Sequence, residues 1–193
     1  RDSLIAHGGR LHAASVGVWI GQSPYNRIEH NEICDFYSVG VSVGWTWGYT
    51  QHLGHHNTIA YNHIHDLGQG VLSDLGGIYT LGLQEGSLIH HNLIHDIGSF
   101  SYGGWGIYFD EGTTHILAEN NVVYRTKTGG FHQHYGKENR VVNNILAYAR
   151  EGQIQRTRQE PHLSFTFERN IVIWKEGPLL HGNWGDDQYR LDY

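Results

Sequence analysis

Apolar positions along this chain never settle into the three-to-four-residue spacing of a capped helix; they fall in short runs where apolar and polar residues alternate. Two phrases organise these runs. The first, apolar–x–x–Asn–x–apolar, occurs as IEHNEI (28–33), IAYNHI (59–64), IHHNLI (89–94), AENNVV (118–123), VVNNIL (141–146) and FERNIV (167–172). The second opens on glycine: GVWI (17–20), GVSV (40–43), GIYT (77–80), GIYF (106–109), GFHQ (130–133), GQIQ (152–155) and GPLL (177–180). They alternate along the whole chain, two to three dozen residues apart. Strands this short cannot bury a face alone, so the repeat predicts an all-β solenoid, a parallel β-helix of about six to seven coils, in which neighbours complete one another's core. A recurrent Asn fits a ladder of side-chain amides at a bend, each supplying its neighbour's hydrogen-bond partner. A recurrent Gly fits positive φ or close backbone approach. An antiparallel sandwich would share the short strands but needs no fixed asparagine.

If coils superpose, equivalent residues become lateral neighbours about 4.8 Å apart. Alternation from each glycine gives one inward column of Val18, Val41, Ile78, Ile107 and Phe131, and a second of Ile20, Val43, Thr80, Phe109, Gln133 and Gln155. One outward column reads Trp19, Ser42, Tyr79, Tyr108, His132, Ile154; the other reads Gly21, Gly44, Leu81, Asp110, His134, Arg156. This count predicts an exposed row of Asp110, His134 and Arg156, with Glu111 and Tyr135 one position on. An ordinary surface ladder of opposite charges is the plain alternative. The linkers favour a site. Residues 62–77, 92–106 and 40–62 are long where the others are short, and long loops on a rigid scaffold carry function. They should wall a cleft beside the row, with Asp74 in one wall and Trp105 closing another.

Composition narrows the partners. At 193 residues the chain is one domain, read as 1–193; charged residues make up 17% and the net charge is -6 without a basic run, which excludes a disordered polyelectrolyte and argues against nucleic acid. No apolar stretch is of membrane-spanning length. The single cysteine, Cys34, cannot close an internal disulfide. The histidines raise zinc: His132 and His134 share a face, as two ligands would. His65 and His95, however, share a column with Cys34 and Tyr124, as in a stacked structural row, and Asp35, Asp66 and Asp96 beside them read as turn residues bonding backbone amides. No metal is assigned.

Two carboxylates facing one groove are the minimum machinery for glycoside hydrolysis. Asp74 and Asp110 form the candidate pair, with Glu111 in reserve. His132, His134, Tyr135, Gln155 and Arg156 could bind sugar hydroxyls or a carboxylate, and Trp45, Trp47, Trp105 and Tyr108 could stack on pyranose rings. The segments SDLGGIYTLG, GWGIYFDEGT, GGFHQHYGKENRVVNNI and EGQIQRTR resemble the right-handed parallel β-helix proteins of the pectate-lyase-like superfold, and more closely the bacterial branch containing glycoside hydrolase family 141. The resemblance covers nearly the whole chain. It implies fucosidase- or xylanase-type activity on a plant- or algal-type glycan, two catalytic aspartates carried over to Asp74 and Asp110, a secreted or periplasmic location and a monomer without cofactor. Members are usually much longer, and the terminal YRLDY reads as the start of another coil, so the chain is expected to be a piece of a longer helix, truncated at both ends. Two further readings stay open: a polysaccharide lyase, with Arg156, Lys137 or a histidine as base and calcium as counterion, and a non-catalytic carbohydrate-binding solenoid.

Overall fold

The computed structural model describes residues 1–192 and contains, among them, strands and turns but no helix. Three parallel sheets of seven strands each run the length of the molecule. Sheet A consists of Leu4–Ala6, Glu32–Phe36, His63–Leu67, Leu93–Ile97, Val122–Thr126, Ile145–Ala147 and Ile171–Ile173. Sheet B consists of Val18–Ile20, Val41–Val43, Gly76–Thr80, Trp105–Phe109, Phe131–Gln133, Ile154–Arg156 and Leu180–Gly182. Sheet C consists of Arg27–Glu29, Thr58–Ala60, Leu88–His90, Leu117–Glu119, Asn139–Val142, Phe165–Glu168 and Tyr189–Asp192. The chain passes A, B, C and begins again, so the fold is a parallel β-solenoid of seven coils. Of the expected YRLDY coil start, Tyr189–Asp192 pairs in parallel with Phe165–Glu168, and residue 193 lies outside the described residues.

The bend from sheet C to sheet A explains the recurrent asparagine. The residue before each one (His30, Tyr61, His91, Asn120, Asn143, Arg169) sits in the left-handed region at φ between 51° and 57°. That conformation costs free energy in any residue but glycine and persists only where the surroundings enforce it. Here the ladder does so. Asn31, Asn62, Asn92 and Asn121 each donate through Nδ2 to the Oδ1 of the next coil's asparagine at 2.9–3.0 Å, and each backbone N–H reaches the same oxygen. Asn144 repeats the arrangement toward Asn170 at 2.9 Å. A second, partial ladder at the bend from sheet B to sheet C joins Asn26 to Asn57, Asn57 to Ser87, and Ile116 to Asn139. Its mixed residue types hide it from a search for one repeated letter.

The core is three inward columns. Ile33, Ile64, Ile94, Val123 and Leu146 come from sheet A, Val41, Ile78, Ile107, Phe131 and Ile154 from B, and Ile59, Ile89, Ala118, Val141 and Phe167 from C. The glycines that open sheet B strands answer to close approach rather than to positive φ. A Cβ on Gly106 would stand 2.2 Å from Val123 Cγ1 and 2.7 Å from the Gly130 carbonyl.

In the last two coils the glycine phrase misplaces the register, by two positions at Gly177, where Leu180 pairs with Ile154, and by one at Gly152. Phe131 pairs with Ile154, His132 with Gln155 and Gln133 with Arg156, so Gln153, not Gly152, is the counterpart of Gly130. A one-residue slip exchanges the two faces of a strand. Ile154 and Arg156 therefore point inward and Gln155 outward, the reverse of the count from Gly152. Gln153 fixes this by closing its own turn, exchanging two hydrogen bonds with the Ala149 backbone at 2.9 and 3.2 Å. The aspartate series also differs from expectation. Asp35, Asp66 and Asp96 do adopt φ of 52–58°, but their carboxylates bind side chains (His7, Arg10 and Gln69; His65; His95 and Arg125) rather than backbone amides.

Candidate active site

The outward column of sheet B reads Ser42, Tyr79, Tyr108, His132, Gln155 and His181, and the position after each strand adds Leu81, Asp110, His134 and Thr157. All of these but Ser42 and Leu81 floor a cleft of about 600 Å³. Two loops form one wall by pairing with each other: Asp74 N–H donates to the Tyr102 carbonyl at 3.1 Å and Phe100 N–H to the Leu72 carbonyl at 2.7 Å. A third, 44–57, folds across two coils, so that Gly48 N–H donates to the Glu111 carbonyl at 3.3 Å and Trp47 overhangs the cleft.

The two aspartates reach this cleft by different means. Asp110 follows the strand Trp105–Phe109 and opens a tight turn, its carbonyl accepting from Thr113 N–H at 3.0 Å. The turn uses Gly112 at φ 77°, where a Cβ would stand 2.2 Å from the Gly48 carbonyl. Asp74 sits on a loop at φ 58°, against Gly103, where a Cβ would stand 2.8 Å from the Asp74 amide. Strained backbone of this kind concentrates at functional positions. Asp110 is buried and Asp74 exposed. Tyr79 donates to Asp110 Oδ2 at 2.6 Å and Tyr108 donates to Asp74 Oδ1 at 3.0 Å. The Tyr108 hydroxyl also lies close enough to Asp110 to favour its charged form. Burial nevertheless wins: it raises the Asp110 pKa above the ordinary carboxylate value against the two tyrosines, with the Asp74 charge adding to the rise and His134 opposing it.

The aromatic residues divide into packed and open. Trp105 is buried, with Tyr108 and His132 at centroid distances of 4.3 and 4.2 Å, and its Nε1 donates to Gln155 Oε1 at 2.5 Å. His132 is buried too, stacked on Tyr108 at 4.7 Å and 18°, and burial holds its pKa well below that of a free imidazole. The open rings at the rim are Trp47 and Tyr102. Thr157 Oγ1 meets both His132 Nε2 at 3.0 Å and His134 Nδ1 at 2.7 Å, taking the place beside His134 that the sequence count gave to Arg156.

Of the expected residues, Asp74, Asp110, Glu111, Trp105, Tyr108, His132, His134 and Gln155 line the cleft. Arg156 does not. It is fully buried in the solenoid and doubly bonded to Asp186 at 2.7 and 3.1 Å, because the slipped register points it inward. Trp45 stands on the far side of Trp47, edge-on to it and to Trp19, outside the cleft lining. Tyr135 is buried against the 44–57 loop, edge-on to Tyr49, donating to Glu111 Oε2 at 2.9 Å under the Arg158 guanidinium. Residues missed from the sequence include Tyr79, already in the predicted column, and Glu151, which accepts from Thr128 Oγ1 at 2.7 Å and could be found only once Gln153 set the register. A second groove of about 540 Å³ lies across sheet A, but of its two acids Asp96 is bound by Arg125 and Asp66 by His65.

No family model matches the sequence, and no curated protein matches it. Among solved structures, a protein described as a glycoside hydrolase superposes with a TM-score of 0.58 at 22% identity, over 91% of this chain and 24% of that one. DFA-IIIase from Arthrobacter chlorophenolicus A6 without its lid gives 0.56 at 14% identity, over 91% and 49%. DFA-IIIase from the same source in complex with GF2 gives 0.51 at 13%, over 91% and 45%. The chain thus spans between a quarter and a half of the structures it resembles. At these identities the likeness establishes architecture: this is a parallel β-helix, a fold shared with carbohydrate-active enzymes.

Proposed function

We propose that the sheet B cleft is the active site of a glycosidase acting on a plant- or algal-type glycan, with Asp110 as general acid and Asp74 as its partner. The observation that carries this is the meeting in one cleft of a buried carboxyl of raised pKa and an exposed carboxyl, held by the neighbouring hydroxyls of Tyr79 and Tyr108. An acid that must hold its proton near neutral pH needs such burial, and its partner needs water-like surroundings to stay charged. Asp74 faces Asp110 across the neighbouring Tyr79 and Tyr108 hydroxyls, as the nucleophile or as the base that activates water. Trp47 and Tyr102 supply open faces for sugar rings. The neighbouring structures named as a glycoside hydrolase and DFA-IIIase support a carbohydrate substrate.

A lyase would use a basic residue beside a uronate, and burial of Arg156 against Asp186 takes one of its candidates out of the cleft. Screening mixed plant and algal glycans with the wild type, Asp74→Asn and Asp110→Asn tests the reading. Reducing ends should appear with wild type and fall by about 10²–10⁴-fold in Asp110→Asn. Cleavage that survives both substitutions, or a product absorbing in the ultraviolet as an unsaturated uronate does, would remove the two acids from the mechanism. A solenoid that only binds glycans would release nothing in any arm.

A further inference from the structure

The outer face of sheet A, away from the cleft, holds a histidine cluster that the glycosidase reading does not use. His65 and His95 are lateral neighbours on adjacent coils, with stacked rings 5.1 Å apart. His63 lies two residues before His65 on the same strand, hence on the same face, at a centroid distance of 4.1 Å. Its Nε2 stands 2.8 Å from Nε2 of His95. A stacked structural row accounts for His65, His95 and Tyr124, but not for a third imidazole turned nitrogen-first into it.

The strand kinks give the cluster its chemistry. In an extended strand consecutive side chains face opposite ways, so His65 could not touch Asp66, nor His95 touch Asp96. Both contacts form because Asp66 and Asp96 are left-handed, at φ 52° and 55°. His65 Nδ1 meets Asp66 Oδ2 at 2.8 Å and His95 Nδ1 meets Asp96 Oδ2 at 2.6 Å. Arg125 Nε in turn holds Asp96 at 2.7 Å. A carboxylate on Nδ1 draws the ring N–H to that side when an ion takes Nε2; without one, His95 Nε2 pairs with His63 Nε2 and His65 Nε2 donates to Glu32 Oε1.

We propose that His63, His65 and His95 bind one divalent transition-metal ion through their three Nε2 atoms, with Glu32 beside the fourth position. One ligand atom from each histidine lies within 4.8 Å of the others, and Glu32 Oε1 is 3.2 Å from His65 Nε2. Zinc–nitrogen bonds of about 2.0–2.1 Å set tetrahedral nitrogens roughly 3.3 Å apart, so a small ring rotation accommodates the ion. An all-imidazole set selects zinc, copper or nickel over calcium or magnesium. The strands carrying these histidines, His63–Leu67 and Leu93–Ile97, run directly into the two paired loops that hold Asp74. The ion would clip adjacent coils at the base of that wall.

Calorimetric titration of metal-stripped chain with zinc chloride tests this. Wild type should take up one equivalent and melt at higher temperature with zinc than without. His63→Gln and His95→Gln should each weaken uptake at least about 100-fold and abolish the melting shift, and Asp96→Asn should weaken it about 10–100-fold. The double variant His90→Gln/His91→Gln, which alters a histidine pair on sheet C, should titrate as wild type, and circular dichroism should report the same fold in all. No uptake by wild type, uptake that survives loss of both His63 and His95, or equal loss in the sheet C variant would each overturn the assignment.

Discussion

Removing one rung from the middle of the asparagine ladder should cost far more than removing its end. In Asn92, Oδ1 accepts from the Asn62 amide at 3.1 Å and from Asn62 Nδ2 at 3.0 Å, while Nδ2 donates to Asn121 Oδ1 and to the Ile59 carbonyl, both at 2.9 Å. Asn92→Ala deletes all four bonds and leaves four partners in a dry interior. At about 1 kcal/mol net per bond the loss is ~4 kcal/mol, at the upper edge of single-substitution effects. For a chain of 193 residues this corresponds to a drop in Tm of about 8–16 °C. Asn170 makes three such bonds, to Asn144 N, Asn144 Nδ2 and the Val141 carbonyl, but is half-buried, so water can replace them. Asn170→Ala should cost about 1–2 kcal/mol on the same scale. Urea denaturation of both variants, followed by far-ultraviolet circular dichroism, gives the ratio directly. Losses within about 1 kcal/mol of each other would refute the idea that burial of the partners, rather than the number of bonds, sets the ladder's worth.

Asp110 should be a liability to the fold that makes it an acid. Its folded pKa lies above the unfolded value, so the native state holds the proton more tightly and stability falls as pH rises from about 4 through the folded pKa. Asp110→Asn should therefore melt above wild type at pH 7 and converge with it below about pH 4, which thermal melts across pH will check. Arg156→Met should lower stability by about 1–2 kcal/mol through the lost bonds to Asp186 and the Asn183 carbonyl, since the half-buried Asp186 keeps access to water. It should leave KM for any cleft substrate unchanged, which kinetics on the folded variant would measure.

Much of the architecture was legible because the letters that matter recur at positions of fixed geometry. Asparagine is the residue that both accepts and donates twice at a bend, and glycine the residue that lets one coil's carbonyl lie against the next coil's Cα. The columns through Phe131 and His132 followed from those marks. Gln153 escaped because it does a glycine's work at its turn with a side chain, and that one substitution moved Arg156 from the cleft to the core. The loops were legible as walls from their length alone. Which tryptophan overhangs the floor depended on Gly48 packing on Gly112, a contact with no period. Burial of Trp105 and His132 depended on rings from three coils closing over one another.

Asp110 stands at the end of a sheet strand, where its coordinates are quantised by the coil pitch, whereas Asp74 rides a loop outside the sheets, braced only by the next coil's loop. The gap between the reacting groups is thus adjustable from one side only. Lengthening or shortening residues 68–75 by a few positions could convert such a scaffold between stereochemical outcomes while every rung and core column stays in place. Inserting an entire coil between residues 80 and 110 would instead part the acids by a full step.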